Sequence, residues 1–157
     1  VDMRYSTQAQ RVLLTASRIA KDWGHGYVGS VHLLMALAKH TGKTGQLLQA
    51  AGVEQELTEK MVKVLYGTGT PGLPLPQGFT AEMRKILQDA GRGAGFQHRG
   101  QVEPMHLLLA LLRRQKNGAK ELLILSGTDV EALFTRTVES VQRKQQTEQN
   151  PPKSLHR

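Results

Sequence analysis

Apolar residues recur along this chain at the spacing of a helix face, and no stretch shows the alternation of a strand. After Ser6, the residues Ala9, Val12, Leu13, Ala16, Ile19 and Ala20 form an i, i+3, i+4, i+7 stripe; Ser6 is the expected N-cap, and Gly24 and Gly26 the stop. Ser30 is the expected cap of a second helix that is apolar through Leu33, Leu34 and Leu37 and ends before Gly42. A short third helix carries Leu47, Leu48 and Ala51 and stops at Gly52. A fourth is predicted from about Glu54 to Tyr66, with Leu57, Met61, Val62 and Leu65 inward. From Thr80 the same order of four helices is predicted again, with Pro104 tolerated in the first turn of its second helix. The expected fold class is all-α, with about eight helices.

The recurrence is a true internal repeat. Displacing the sequence on itself by 74 residues aligns Tyr5–Leu37 with Phe79–Leu111 without a gap, and eleven of the 33 pairs are identical. They include Leu13/Leu87, Ala16/Ala90, Val28/Val102 and the block His32-Leu33-Leu34 against His106-Leu107-Leu108. Two copies are too few for a solenoid, so one pseudo-two-fold domain over 1–144 is expected, with copy one at 5–66 and copy two at 79–142. Between them, 67–78 is rich in Gly and Pro and reads as an exposed linker. Residues 145–157 are polar, contain Pro151-Pro152, and read as a disordered tail or linker. Copy two carries Gly91, Gly93 and Gly95 where its first helix should continue, each costing about 0.8–1 kcal/mol against Ala, so that helix is expected to be short or irregular.

Composition narrows the chemistry. The 157 residues fit one ordinary domain or two very small ones, and the absence of Cys excludes disulfide scaffolds, zinc ribbons, iron–sulfur clusters and thiol nucleophiles. The first residues lack the apolar stretch of a secretory signal, and no apolar run approaches the roughly 18–20 residues of a membrane span. A soluble, cytoplasmic protein is expected. Its formal charge of +8 invites nucleic acid as partner, but the excess is spread over both copies and the tail, and the seven aromatics read as packing residues. Arg92, Arg99, Arg113, Arg114 and Lys116 are the candidate basic rim, while acidic partners fit the milder reading.

Candidate catalytic motifs dissolve on inspection. Thr41-Gly42-Lys43-Thr44-Gly45 contains the Gly-Lys-Thr end of a phosphate loop, but the Gly required five residues before Gly42 is Leu37, inside an apolar helix, and no strand leads into it. His32 and His106 lie at matching places in the first turn of an apolar helix, without the His–carboxylate spacing of a metal site; each reads as a half-buried core histidine. There is no Gly-x-Ser-x-Gly elbow. No catalytic site, cofactor or metal is expected.

The tandem aromatic-Ser/Thr starts (Tyr5-Ser6, Phe79-Thr80), the turn Gly24-His25-Gly26-Tyr27-Val28-Gly29-Ser30 and the His-Leu-Leu helices resemble the Clp N-terminal domain over roughly residues 5–142. That module precedes the ATPase rings of Clp-type AAA+ unfoldases. The resemblance implies a non-catalytic recognition domain that binds adaptor proteins and unfolded or tagged substrates and passes them to Clp ATPase rings, in cis or in trans. ClpC-type members carry Glu immediately before each repeated His, where it helps bind phosphoarginine; here Val31 and Met105 stand there, and the guanidinium loses its carboxylate. The resemblance places protein contacts at the starts of the first two helices of each copy: Tyr5, Ser6, Thr7 and Val31, with Phe79, Thr80 and Met105. Helix starts offer free N–H donors, and the two aromatics offer apolar area; hydrophobic staples are the structural alternative for Tyr5 and Phe79. A stand-alone accessory protein of the same type and a small basic nucleic-acid-binding protein are the other two readings. No membrane partner is expected.

Overall fold

A computed structural model describes residues 4–69, 76–95 and 100–149. It contains eight helices: α1 Thr7–Asp22, α2 Ser30–Lys39, α3 Lys43–Ala50, α4 Gln55–Tyr66, α5 Ala81–Gly95, α6 Pro104–Arg113, α7 Gly118–Leu125 and α8 Val130–Gln149. The all-α class and the tandem order follow the apolar periodicity. Ser6 caps α1 by accepting the Ala9 amide at 3.1 Å, and Thr80 repeats this for α5 with the Met83 amide at 3.0 Å. Gly52 and Gly127 sit at φ +87° and +86° just beyond α3 and α7, a left-handed conformation that glycine adopts without the Cβ penalty.

Helices α2 and α6 are apolar almost all round and form the centre, with Leu33, Leu34, Leu37, Leu107, Leu108 and Leu111 fully buried. α1 packs on α2 and α5 on α6, and the short third helix of each copy reaches across: α3, besides α2, packs on α6 and α8, and α7, besides α6 and α8, on α2 and α4. The segments entering the first helices reach across too. Tyr5 bridges Val102 of the other copy, and Phe79 bridges Val28, both in parallel. The Ser6 amide donates to the Val102 carbonyl and the Val102 amide to Arg4; the Thr80 amide donates to the Val28 carbonyl and the Val28 amide to Gly78. Neither copy can therefore complete its backbone hydrogen bonding alone.

Four expectations are corrected. The N-cap of α2 is Gly29; Ser30 lies inside the first turn, buried, where its hydroxyl donates to Glu82 and accepts the Ala119 amide of the other copy. In α4 the buried strip is Thr58 and Val62, whereas Leu57 and Leu65 are 47% and 52% exposed, because that helix packs only against α2 and α7. α5 runs unbroken through Gly91 and Gly93 to Gly95, held by Ala90 and Ala94, which are buried in the core. α8 continues to Gln149, past the point where composition placed the start of an irregular tail; residues 150–157 lie outside the described residues. The described ends of the 67–78 connection are tied to the α1–α2 turn by Gly69 N–H to the Trp23 carbonyl and Gln77 N–H to Gly26, each at 2.9 Å; residues 70–75 lie outside the described residues.

Candidate functional site

Three hollows hold five of the seven contact residues expected from the sequence, and the repeat relates two of them. In the first, of about 590 Å³, the starts of α2, α5 and α7 converge: Val31 and Thr80 line it together with Tyr27, Tyr66, Glu82 and Glu121. In the second, of about 600 Å³, the starts of α6, α3 and α1 converge, with Met105 beside Lys43, His40, Gln8 and Arg143. Each is built by helix starts drawn from both copies, which is why no local motif announces it.

The two have diverged in charge. Glu82 is the second residue of α5, at the register position of Gln8, and its carboxylate accepts from the Ser30 hydroxyl and, at 3.4 Å, from the Gly118 amide at the start of α7. An anion supplied by the chain itself thus occupies that helix start. Glu82 and Glu121 also face the Tyr66 phenol, whose pKa is raised, first by burial and then by those two carboxylates. The second hollow carries His40, Lys43 and Arg143 with Glu103, and so has the opposite balance.

The repeated histidines are helix caps. The Gly29 amide donates to His32 Nδ1 at 2.9 Å and the Glu103 amide to His106 Nδ1 at 2.8 Å, so both rings, buried at the third helical position, reach back to the N-cap. An accepting Nδ1 puts the ring hydrogen on Nε2. Burial, and after it the neighbouring His25, lowers the His32 pKa to about 4.

The third hollow, also of about 600 Å³, runs between α1 and α5 and is lined by residues that the 74-residue register pairs: Tyr5 with Phe79, Leu13 with Leu87, Gln10 with Arg84. Gln10 Nε2 and Arg84 Nη1 each donate, at 2.9 Å, to the carbonyl of the aromatic residue five positions before them. Leu14 adds apolar area on one wall and is 57% exposed.

The seven sequence-derived residues thus fall apart by place. Tyr5 and Phe79 share the α1–α5 groove, Val31 and Thr80 share the first hollow, and Met105 stands in the second, its sulfur 4.0 Å from the Thr44 hydroxyl. Ser6 is buried as a cap, and Thr7 is exposed as the first residue of α1. Sequence reasoning missed Glu82, Tyr66 and Leu14; the pairing of Glu82 with Gln8 across the repeat is the signal that marks the first. The Gly-Lys-Thr stretch opens α3 with α2 before it and no strand. Within the basic rim, Arg92 and Arg114 both bond Asp89, at 3.3 and 2.9 Å, which offsets part of its charge; Arg99 lies outside the described residues. Among the described residues no group of three or more His, Asp or Glu is placed to hold a metal, and no helix is long and apolar enough to cross a membrane.

Among known proteins, the model of the Clp repeat (R) N-terminal domain family matches residues 4–72 and 78–156. The chloroplastic chaperone protein ClpC of Pisum sativum is 27% identical over 142 residues, covering 88% of this chain and 15% of that protein. The ClpA homolog of Cyanidium caldarium, an ATP-binding subunit of the ATP-dependent Clp protease, is 25% identical over 139 residues, covering 88% and 16%. This chain therefore spans about 15% of the length of such relatives. In structure, it is similar to the N-terminal domain of the chaperone ClpD from Arabidopsis thaliana (TM-score 0.73, 17% identity, 88% of this chain and 95% of that one). It is also similar to the Hsp104 N-terminal domain from Candida albicans (TM-score 0.69, 23% identity, 86% and 89%). At those identities the likeness concerns the fold.

Proposed function

The chain belongs to the Clp repeat (R) N-terminal domain family, and from that premise we propose that it is a docking domain of a Clp-type AAA+ chaperone system, receiving adaptor proteins and unfolded or tagged substrates for delivery to the ATPase rings. Recognition is by surface, without bond chemistry in this chain. The observation that carries the reading is the groove between α1 and α5. Tyr5, Leu13, Phe79 and Leu87 leave apolar area accessible there, beside the Arg4 and Arg84 side chains. An extended segment with one or two apolar side chains and an acidic flank fits that combination of apolar floor and cationic edge. Of the seven contact residues expected from the sequence, Tyr5 and Phe79 are assigned to this groove, and Val31, Thr80 and Met105 to the two hollows as secondary contacts.

The test is fluorescence anisotropy with a labelled, reduced and carboxymethylated protein as a permanently unfolded substrate. The expected result is saturable binding that Tyr5→Ala, Phe79→Ala or Leu14→Asp weakens by roughly tenfold, the size of a lost apolar anchor. Unchanged binding in all three variants, with folding intact by circular dichroism, would remove the groove from the interface. Absence of any saturable binding would remove the substrate-docking role itself.

A further inference from the structure

We propose that His25 and His32 form an acid-released clasp that joins the start of α2 to the end of α4 across the turn following α1. Three hydrogen bonds run in series. The Gly29 amide donates to His32 Nδ1 at 2.9 Å; His32 Nε2 lies 2.7 Å from His25 Nδ1; His25 Nε2 lies 2.8 Å from the Gly67 carbonyl oxygen. The two backbone groups at the ends set the direction. An amide can only donate, so His32 Nδ1 holds a lone pair and its hydrogen is on Nε2; a carbonyl can only accept, so His25 carries its hydrogen on Nε2 and offers Nδ1 to His32. Every ring nitrogen is used once, with one hydrogen on each ring.

This closure leaves no room for an added proton. A proton on His25 Nδ1 would set two N–H groups head-on at the 2.7 Å separation, and one on His32 Nδ1 would strip the Gly29 amide of its acceptor. A ring can take up a proton only after the relay opens. The groups around the relay pull in both directions. Trp23 packs against both rings, with centroids 6.1 Å from His25 and 5.8 Å from His32. The Lys63 ammonium of α4 stands 5.9 Å from the Trp23 ring centre, a cation that opposes added positive charge on that side. The rings open into the hollow also lined by Tyr66 of α4, Glu82 of α5, Lys116 ahead of α7 and Glu121 of α7. Glu82 and Glu121 supply two carboxylates in that hollow toward which a released ring can turn. Copy two retains the cap, His106 on the Glu103 amide, while the 74-residue register puts Arg99 where copy one has His25. The clasp therefore belongs to copy one.

Long-range proton–nitrogen NMR of the histidine rings across a pH titration tests it. At neutral pH the expected tautomer is Nε2–H in both rings. On acidification the Gly29 amide and the Thr68 amide, which shares the Gly67 peptide group, are expected to shift in one joint transition. In His25→Asn protein that joint response is lost, while the Glu103 amide over His106 behaves as in wild type. An Nδ1–H tautomer in either ring, separate transitions for Gly29 and Thr68, or a joint response that survives His25→Asn would overturn the proposal. The tautomer measurement needs no variant, so a failure of His25→Asn to fold leaves it decisive.

Discussion

A histidine at the third position of a helix caps its start only while the ring nitrogen facing the backbone is unprotonated, and that condition makes stability depend on pH. His32 is held down to about 4, by burial first and His25 second, against an ordinary value of 6.5. Between those values the unfolded chain binds a proton that the folded chain refuses. The contribution of His32 is therefore complete above about 6.5, declines as pH falls, and is gone below about 4; its ceiling is about 3 kcal/mol. Urea unfolding of wild type and His32→Asn should show the gap between the two midpoints narrowing from pH 7 to pH 4.5. A gap independent of pH would contradict the assignment. At the same scale, a methyl group at Gly45 would run into the His40 carbonyl, a backbone atom that cannot turn aside. Gly45→Ala should lower stability by about 2 kcal/mol or more, read as a fall in melting temperature.

Among the elements, α5 offers the opposite experiment. A Cβ at Gly91, Gly93 or Gly95 would meet nothing within 4 Å, and all three lie in regular helix. Replacing each by Ala should raise stability by roughly 0.5–1 kcal/mol through the unfolded chain's lost freedom, measurable as a higher urea midpoint. These glycines also show where the sequence was readable and where it was not. Caps and stops depend on one residue and its neighbours, so Ser6, Thr80 and Gly52 could be placed from spacing, while the cap expected at Ser30 lies one residue past the true one, Gly29. The continuity of α5 depends on Ala90 and Ala94 packing in the core, a tertiary gain that outweighs the local penalty and leaves no mark in the window around the glycines. Leu57 and Leu65 misled for the same reason: periodicity treats an apolar residue as inward, whereas the width of the buried strip is set by how many helices lie against it. The hollows were the least legible part. Val31, Thr80 and Met105 could be named as helix starts, but Glu82, Tyr66 and Arg143 come from elements far along the chain, and only the assembled fold brings them into the same spaces.

For the molecule as a whole, the contacts across the repeat predict that the two copies unfold as one cooperative unit despite their repetition. The only Trp, Trp23, is in copy one and buried, so its fluorescence follows that half alone, whereas far-UV circular dichroism follows both. The two signals should give coincident denaturant curves, and a fragment ending at Tyr66 should lack a cooperative transition. Separate midpoints, or a folded fragment, would mean that the copies are independent. Outside the tail the positive charge is divided almost evenly between the copies, so neither is a basic appendage to the other.

The reciprocal bridges also dictate an order of events during synthesis. Tyr5 has to wait for Val102, roughly a hundred residues later, and at ribosomal rates of about 5–20 residues per second that is a delay of roughly 5–20 seconds. Val28 waits in the same way for Phe79. The first copy therefore emerges as an open half-structure with its apolar α2 uncovered on one side. A second nascent chain nearby could supply the missing segment before the chain's own copy two arrives. For a polypeptide whose proposed work is to receive unfolded chains, its own synthesis passes through the same exposed condition.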